Sequence, residues 1–137
     1  AGTLALGTAM VSSGTASWLA QIVVSLQQYL GAHGLVVVAL ISAALLTEMI
    51  SNAAVAAVLV PVALKIATEL EASPYPFVMA VAFGASLSFL TPIGYQTNTM
   101  VWAMGGYRYT DFARLGIPLT LLVLVATPFL VPVFFPF

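Results

Sequence analysis

The chain contains no cysteine, one histidine and very little charge. Without thiols it has no disulfides and no thiolate metal site, and its redox compartment leaves no mark. A lone histidine offers no metal-ligand set. No nucleophile stands beside a base, so an enzyme is not expected. Three basic residues cannot neutralise a phosphate backbone, so nucleic acid is excluded as a partner. Charged residues make up 5% of the chain, where a soluble domain carries about 25%. In their place 62% of residues are hydrophobic, and the mean hydropathy is +1.13. This composition implies an all-α protein embedded in a lipid bilayer.

Six of the charged side chains fall in two clusters, Lys65–Glu71 and Arg108–Arg114, which read as loops. Glu48 is the exception, lying between apolar runs. The chain opens without a methionine, inside the apolar stretch Ala1–Val11. That stretch is short of the about 20 residues a crossing requires, and it is expected to be the tail of a truncated helix in a fragment, the alternative being a small protein with a short re-entrant start. Thr15–Leu30 places Trp18, Leu19, Ile22, Val23, Leu26, Tyr29 and Leu30 at helical spacing opposite Gln21, Ser25, Gln27 and Gln28, an amphipathic helix. Gly31-Ala32-His33-Gly34 is expected to close it as a loop, with His33 at the interface. The organisation read from this is a truncated helix plus an amphipathic helix over 1–33, a re-entrant hairpin over 34–71, a broken helix over 75–106 and a last transmembrane helix over 111–137.

The two middle segments carry polar breaks. Thr47-Glu48-Met49-Ile50-Ser51-Asn52 separates the apolar arms Gly34–Leu46 and Ala53–Leu64. Each arm spans only about 18–20 Å as helix, less than the hydrocarbon core of about 30 Å. A hairpin with Ser51-Asn52 at its tip and a tilted or kinked single helix both fit, and clustered Ser, Asn and Glu favour the hairpin. Lys65–Pro76 reads as a polar loop with a helical start, stopped by Pro74 and Pro76. Thr91-Pro92-Ile93-Gly94-Tyr95-Gln96-Thr97-Asn98 then divides Tyr75–Leu90 from Thr99–Met104. Thr110 or Asp111 is expected to cap the final helix. Trp18, Trp102, Tyr107 and Tyr109 read as bilayer anchors. Two Arg on one side against Lys65 on the other place the Arg side in the cytoplasm, with the hairpin entering from outside.

Breaks of this kind expose free N–H groups at one half-helix start and free carbonyls at another's end. The first attract anions and the second suit a hard cation such as sodium. Ser51, Asn52, Gln96, Thr97 and Asn98 add neutral donors, and no Arg or Lys is near. A solute site held by dipoles and a co-bound cation fits a carrier, which must release its cargo. Glu48 is either a coupling or proton-carrying group or a structural anchor bonded to the facing break.

Four pieces, in this order and spacing, resemble the divalent anion:sodium symporter family, in particular its sodium–sulfate permease branch. They are Thr47-Glu48-Met49-Ile50-Ser51-Asn52-Ala53-Ala54, Leu59-Val60-Pro61-Val62-Ala63, Ala85–Asn98, and Gly105-Gly106-Tyr107-Arg108-Tyr109-Thr110-Asp111-Phe112. The resemblance implies one repeat of an inverted-repeat transporter, the C-terminal one, with a re-entrant hairpin and an unwound transmembrane helix. It implies a multi-pass protein of the plasma (inner) membrane, a homodimer, partnered by the N-terminal repeat of the same transporter. It implies sodium as coupling ion, with Thr47, the Ile50 carbonyl, Asn52 and the Gly94 carbonyl as ligands and no other metal or cofactor. The anion would be held by Ser51, Asn52, Ala53 and the Gln96–Asn98 segment. Ala53 stands where the family's Ser-Asn-Thr motif has a hydroxyl, and Tyr95-Gln96-Thr97 replaces a Thr-Pro-Pro. Both departures leave a sulfate-like oxyanion open beside a di- or tricarboxylate. The alternatives are a proton-coupled carrier or anion exchanger on the same scaffold, or a non-transporting structural membrane subunit.

Overall fold

A computed structural model describes residues 2–137. Seven helices account for nearly all of them: α1 (Gly2–Ser12), α2 (Thr15–Val24), α3 (Gln27–Thr47), α4 (Asn52–Glu69), α5 (Tyr75–Ala85), α6 (Gln96–Gly105) and α7 (Tyr109–Phe134). The chain is all-helical, as composition requires. Three helices, α3, α4 and α7, are long and apolar enough to cross a membrane. A helix over 2–12 occupies the expected apolar start; the expected start at Ala1 lies outside the described residues.

The core forms where α3, α4 and α5 meet, with α2 laid across them. Leu35, Val36 and Leu40 of α3 pack with Val62, Ala63, Ile66 and Ala67 of α4 and with Phe77, Ala80 and Val81 of α5. Ala16 and Ala20 supply the contact face of α2. Small side chains dominate this list, which allows close helix approach where lipid provides no hydrophobic drive. A second, smaller cluster, Ala43, Val55 and Ala85, sits directly beneath the two helix interruptions. Helix α7 buries a narrow stripe of Gly116, Thr120, Thr127 and Val131 and leaves Leu115, Leu122, Val125 and Phe129 exposed.

Several boundaries differ from the expectation, each for a local reason. The amphipathic helix stops at Val24, and the turn at 25–26 is fastened by Ser25 Oγ donating to the Ile22 carbonyl (2.6 Å). His33 is not in a loop: α3 starts at Gln27 and runs on through a kink at Gly31 (φ 64°, ψ 179°), a conformation that glycine adopts without a β-carbon penalty. The His33 ring then packs on Phe137, with centroids 4.7 Å apart.

Lys65–Glu69 is helix and not loop, because burial of Ile66 and Ala67 continues the contact face of α4 past the charges. The helix ends in a Schellman arrangement, with Ala72 N–H bonded to the Ala67 carbonyl (3.0 Å) and Glu71 N–H to that of Thr68 (3.2 Å). Glu71 takes the left-handed position (φ 51°) usually given to glycine. Pro76 does not stop a helix. It lies in the first turn of α5, where its missing N–H costs no bond.

The second break opens earlier than expected. Helix α5 ends at Ala85, so residues 86–95 are non-helical and Gln96–Asn98 form the first turn of α6. The cap of α7 is Arg108, not Thr110 or Asp111. Asp111 reaches back to accept the Arg108 N–H (2.9 Å), as the acidic member of a capping box does.

Candidate functional site

Both interruptions meet at one place. Residue Thr47 ends α3 and is fully buried; Ala85 ends α5. The Thr47 hydroxyl oxygen lies 2.7 Å from the Ala85 carbonyl oxygen and 2.7 Å from Asn52 Oδ1. A hydroxyl has one proton and serves one of these acceptors at a time. Three oxygens thus gather around a single proton, at the negative ends of two helix dipoles. This is a setting in which a hard cation fits the donor set better than another hydrogen does. Among the described residues, the Ile50 and Gly94 carbonyls accept no hydrogen bond, so their lone pairs are available to a ligand.

Glu48 joins the two interruptions covalently distant in sequence. Its Oε1 accepts from Leu90 N–H (2.9 Å), and its Oε2 accepts from Thr91 N–H (3.0 Å) and the Thr91 hydroxyl (2.7 Å). The residue is 8% exposed, and every one of these contacts is a donor to it. The side chain therefore serves as acceptor for otherwise orphaned backbone groups of the second break.

Within the second break the loop is held from inside. Thr91 Oγ1 accepts the Gly94 N–H (3.0 Å), and Asn98 Nδ2 donates to the Ser88 (2.7 Å) and Thr91 (3.2 Å) carbonyls. Thr99 Oγ1 donates to the Pro92 carbonyl (2.8 Å). Gly94 is closely surrounded: a β-carbon there would lie 2.8 Å from Glu48 Oε2 and 3.2 Å from Ser88 Cβ, so either would have to shift.

The first break is closed by Ser51, in extended conformation (φ −62°, ψ 146°), whose Oγ accepts the Ala54 N–H at 3.3 Å. The start of α6 has no such cap: Tyr95 makes no side-chain bond to it. Among the described residues the N–H groups of Gln96, Thr97 and Asn98 have no hydrogen-bond partner, and the Gln96 and Thr97 side chains beside them are exposed.

Of the residues singled out from sequence, Thr47, Glu48, Asn52, Gly94 and Asn98 come together in this junction. Ser51 and Ala53 flank it on the exposed side of the α4 start. No hydrogen bond joins Gln96 or Thr97 to Ser51, Asn52 or Ala53 among the described residues. Asn98 commits its amide donors to loop carbonyls. Sequence reasoning passed over the Ala85 carbonyl and Thr91. The first carries no side-chain signal, and the second had one only in the Thr-Pro step that opens a loop.

Apolar helices of membrane-crossing length, interrupted around a shared oxygen-rich junction, define a helical membrane protein. The chain belongs to the sodium:sulfate symporter family: the family described as "Sodium:sulfate symporter transmembrane region" matches residues 1–134. It is 47% identical over 131 residues to an uncharacterized transporter of Synechocystis, covering 96% of this chain and 21% of that protein. To sodium/sulfate cotransporter 1 of Chlamydomonas reinhardtii it is 32% identical over 126 residues, 91% of this chain and 14% of the relative. To solute carrier family 13 member 2 of Oryctolagus cuniculus it is 30% identical over 121 residues, 88% and 20% of the respective chains. The chain therefore spans between 14% and 21% of the length of these curated relatives.

Proposed function

We propose that this chain is the second repeat of an inverted-repeat, multi-pass transporter of the plasma (inner) membrane that couples sodium entry to symport of a divalent anion by alternating access. The observation that carries the reading is the junction of Thr47 Oγ1 with Asn52 Oδ1 and the Ala85 carbonyl, at 2.7 Å each. Sodium is held there by Thr47, Asn52 and the Ile50 and Gly94 carbonyls. The anion rests beside it on Ser51, Asn52 and the backbone at Ala53, and on the Gln96–Asn98 turn. Its charge is balanced by the α4 and α6 helix starts and by the bound cation. Without an arginine or lysine the site binds loosely enough to release.

Helices α3 and α4 act as a re-entrant hairpin. The part of α3 beyond its Gly31 kink runs about 24 Å, short of a hydrocarbon core of about 30 Å. The missing hydroxyl at Ala53 favours sulfate over a di- or tricarboxylate, since a compact tetrahedral anion needs fewer side-chain donors than two separated carboxylates. A first repeat supplies the other half of each site, and two such transporters form a homodimer.

The test is reconstitution of this repeat joined to a first repeat in proteoliposomes, with labelled sulfate, succinate and citrate supplied with and without a sodium gradient. Sodium-driven sulfate uptake that is lost in Asn52→Ala supports the reading. Uptake driven by a proton gradient and abolished by Glu48→Gln would establish the proton-coupled alternative, and anion-for-anion exchange indifferent to both gradients the exchanger. Absence of any uptake by folded protein would leave a structural subunit.

A further inference from the structure

We infer that Gly116, the first residue of the bundle-facing stripe of α7, is a positioning residue for the cation site, acting through the peptide that links Phe89 and Leu90. The inference rests on the transport reading above and extends it to a helix that contributes no ligand. A β-carbon built at Gly116 would overlap the Phe89 carbonyl oxygen, and would lie 2.6 Å from its carbonyl carbon and 3.0 Å from Leu90 N. These neighbours are backbone, which cannot rotate aside as a side-chain tip can. In a trans peptide the C=O and N–H point in opposite directions, and the Leu90 N–H is the one donated to Glu48 Oε1 at 2.9 Å.

One peptide group of the second break is therefore gripped from both sides. Glu48, at the end of α3, holds its N–H; the bare backbone of α7 bounds its carbonyl. Any side chain at 116 pushes the peptide toward Glu48. The next residue, Thr91, is held by the same carboxylate through two bonds, and its hydroxyl receives the Gly94 N–H. Displacement at Phe89 thus travels to Gly94, whose carbonyl is the proposed sodium ligand. Loss of a contact that orients a metal ligand typically costs 10–100-fold in affinity.

Thr120 provides the comparison within the same helix. It is buried one turn further along the same stripe, and its hydroxyl has no hydrogen-bond partner. Replacing it perturbs the same face of α7 without removing any hydrogen bond to the break, since among the described residues its hydroxyl makes none. The experiment measures sodium-dependent uptake of labelled sulfate by the two-repeat transporter in proteoliposomes, at saturating sulfate, for the parent, Gly116→Ala and Thr120→Val. The melting temperature of each is read in detergent with and without sodium.

Gly116→Ala is expected to raise the sodium concentration for half-maximal uptake about tenfold and to reduce the stabilisation by sodium, while Thr120→Val keeps the parent value. Folded Gly116→Ala with the parent's sodium dependence overturns the inference, as does an equal shift in Thr120→Val. If Gly116→Ala does not accumulate as folded protein, the double variant with Glu48→Asp decides. The shorter acid gives the displaced peptide room, so recovered folding with weakened sodium dependence supports the grip, and no recovery overturns it. A parent that ignores sodium in both assays defeats the transport reading itself, an outcome distinct from a responsive parent matched by Gly116→Ala.

Discussion

Residues 48–51 and residues 86–95 both interrupt helices at the same level of the bundle, but they are made from different parts of the polypeptide. The first break is short and works with side chains: Thr47 and Glu48 reach out to the other break, and Ser51 caps the helix that follows. The second is long and works mainly with backbone: the Ala85 carbonyl and the Leu90 and Thr91 N–H groups receive what the first sends. A buried loop must find partners for its backbone groups. The second break does so by borrowing acceptors from the first. The dependence is unequal, three donors of the second break resting on Glu48 against one hydroxyl of the first resting on Ala85, so the two breaks should respond unequally to substitution.

The sharpest way to break the comparison is to remove the shared acceptor. Glu48→Ala leaves two N–H groups and a hydroxyl without partners in a buried setting. A loss of about 3–5 kcal/mol is expected from a buried charged acceptor removed on one side only. Melting in detergent should show this as a fall in unfolding temperature, together with faster proteolysis within residues 86–95. Cleavage that rises first within 48–51 would reverse the direction of dependence argued here.

Gly94→Ala strikes the same carboxylate from the other side. Its β-carbon would stand 2.8 Å from Glu48 Oε2, and overpacking of that kind costs typically about 1–3 kcal/mol. Stability should fall less than in Glu48→Ala, since the donors remain and only their geometry shifts. A fully stable Gly94→Ala would mean the carboxylate has room to move, and that the breaks are joined more loosely than these distances require.

Asn98→Leu tests whether the second break has any support of its own. It removes the donors to the Ser88 and Thr91 carbonyls. Two neutral carbonyls lose their donor, one of them on the buried Ser88, so the expected cost is about 1–3 kcal/mol. The same melting assay ranks it, and a loss equal to that of Glu48→Ala would show the second break to be self-supporting.

The unequal construction also explains what the sequence revealed. Thr47, Glu48, Ser51 and Asn52 stand out because polar side chains inside apolar runs are costly unless used, and the first break lies where they predicted it. The second was placed too late, at Thr91, because Ser86–Leu90 bring no breaker of their own. Their unwinding follows from the Leu90 and Thr91 N–H groups being taken by a residue more than forty positions away in sequence. The Ala85 carbonyl was invisible for the same reason: every residue has one. The helical start expected in Lys65–Pro76 is the last turn of α4, running to Glu69 because the buried pair Ile66 and Ala67 continues its contact face past the charges. The break expected at Gly31 is there as a non-helical φ/ψ, while the further seam between α2 and α3 at Ser25-Leu26 carries no glycine or proline to signal it.

The smallest effect on stability belongs to Ser51, and it separates structure from transport most cleanly. Its hydroxyl caps α4 through Ala54 N–H at 3.3 Å, a long bond on an exposed residue. Replacement of a capping serine by alanine costs about 0.5–1 kcal/mol at such a site. The α6 start already lacks a side-chain cap, so a helix start at this junction tolerates one less. Folding of Ser51→Ala should therefore be near that of the parent by melting. Under the proposed function the same hydroxyl faces the anion, so the sulfate KM in proteoliposomes should rise well beyond what that stability change accounts for. Equal, small changes in both quantities would reduce Ser51 to a helix cap and move the anion toward the uncapped α6 turn, where Gln96 and Thr97 are the next residues to replace.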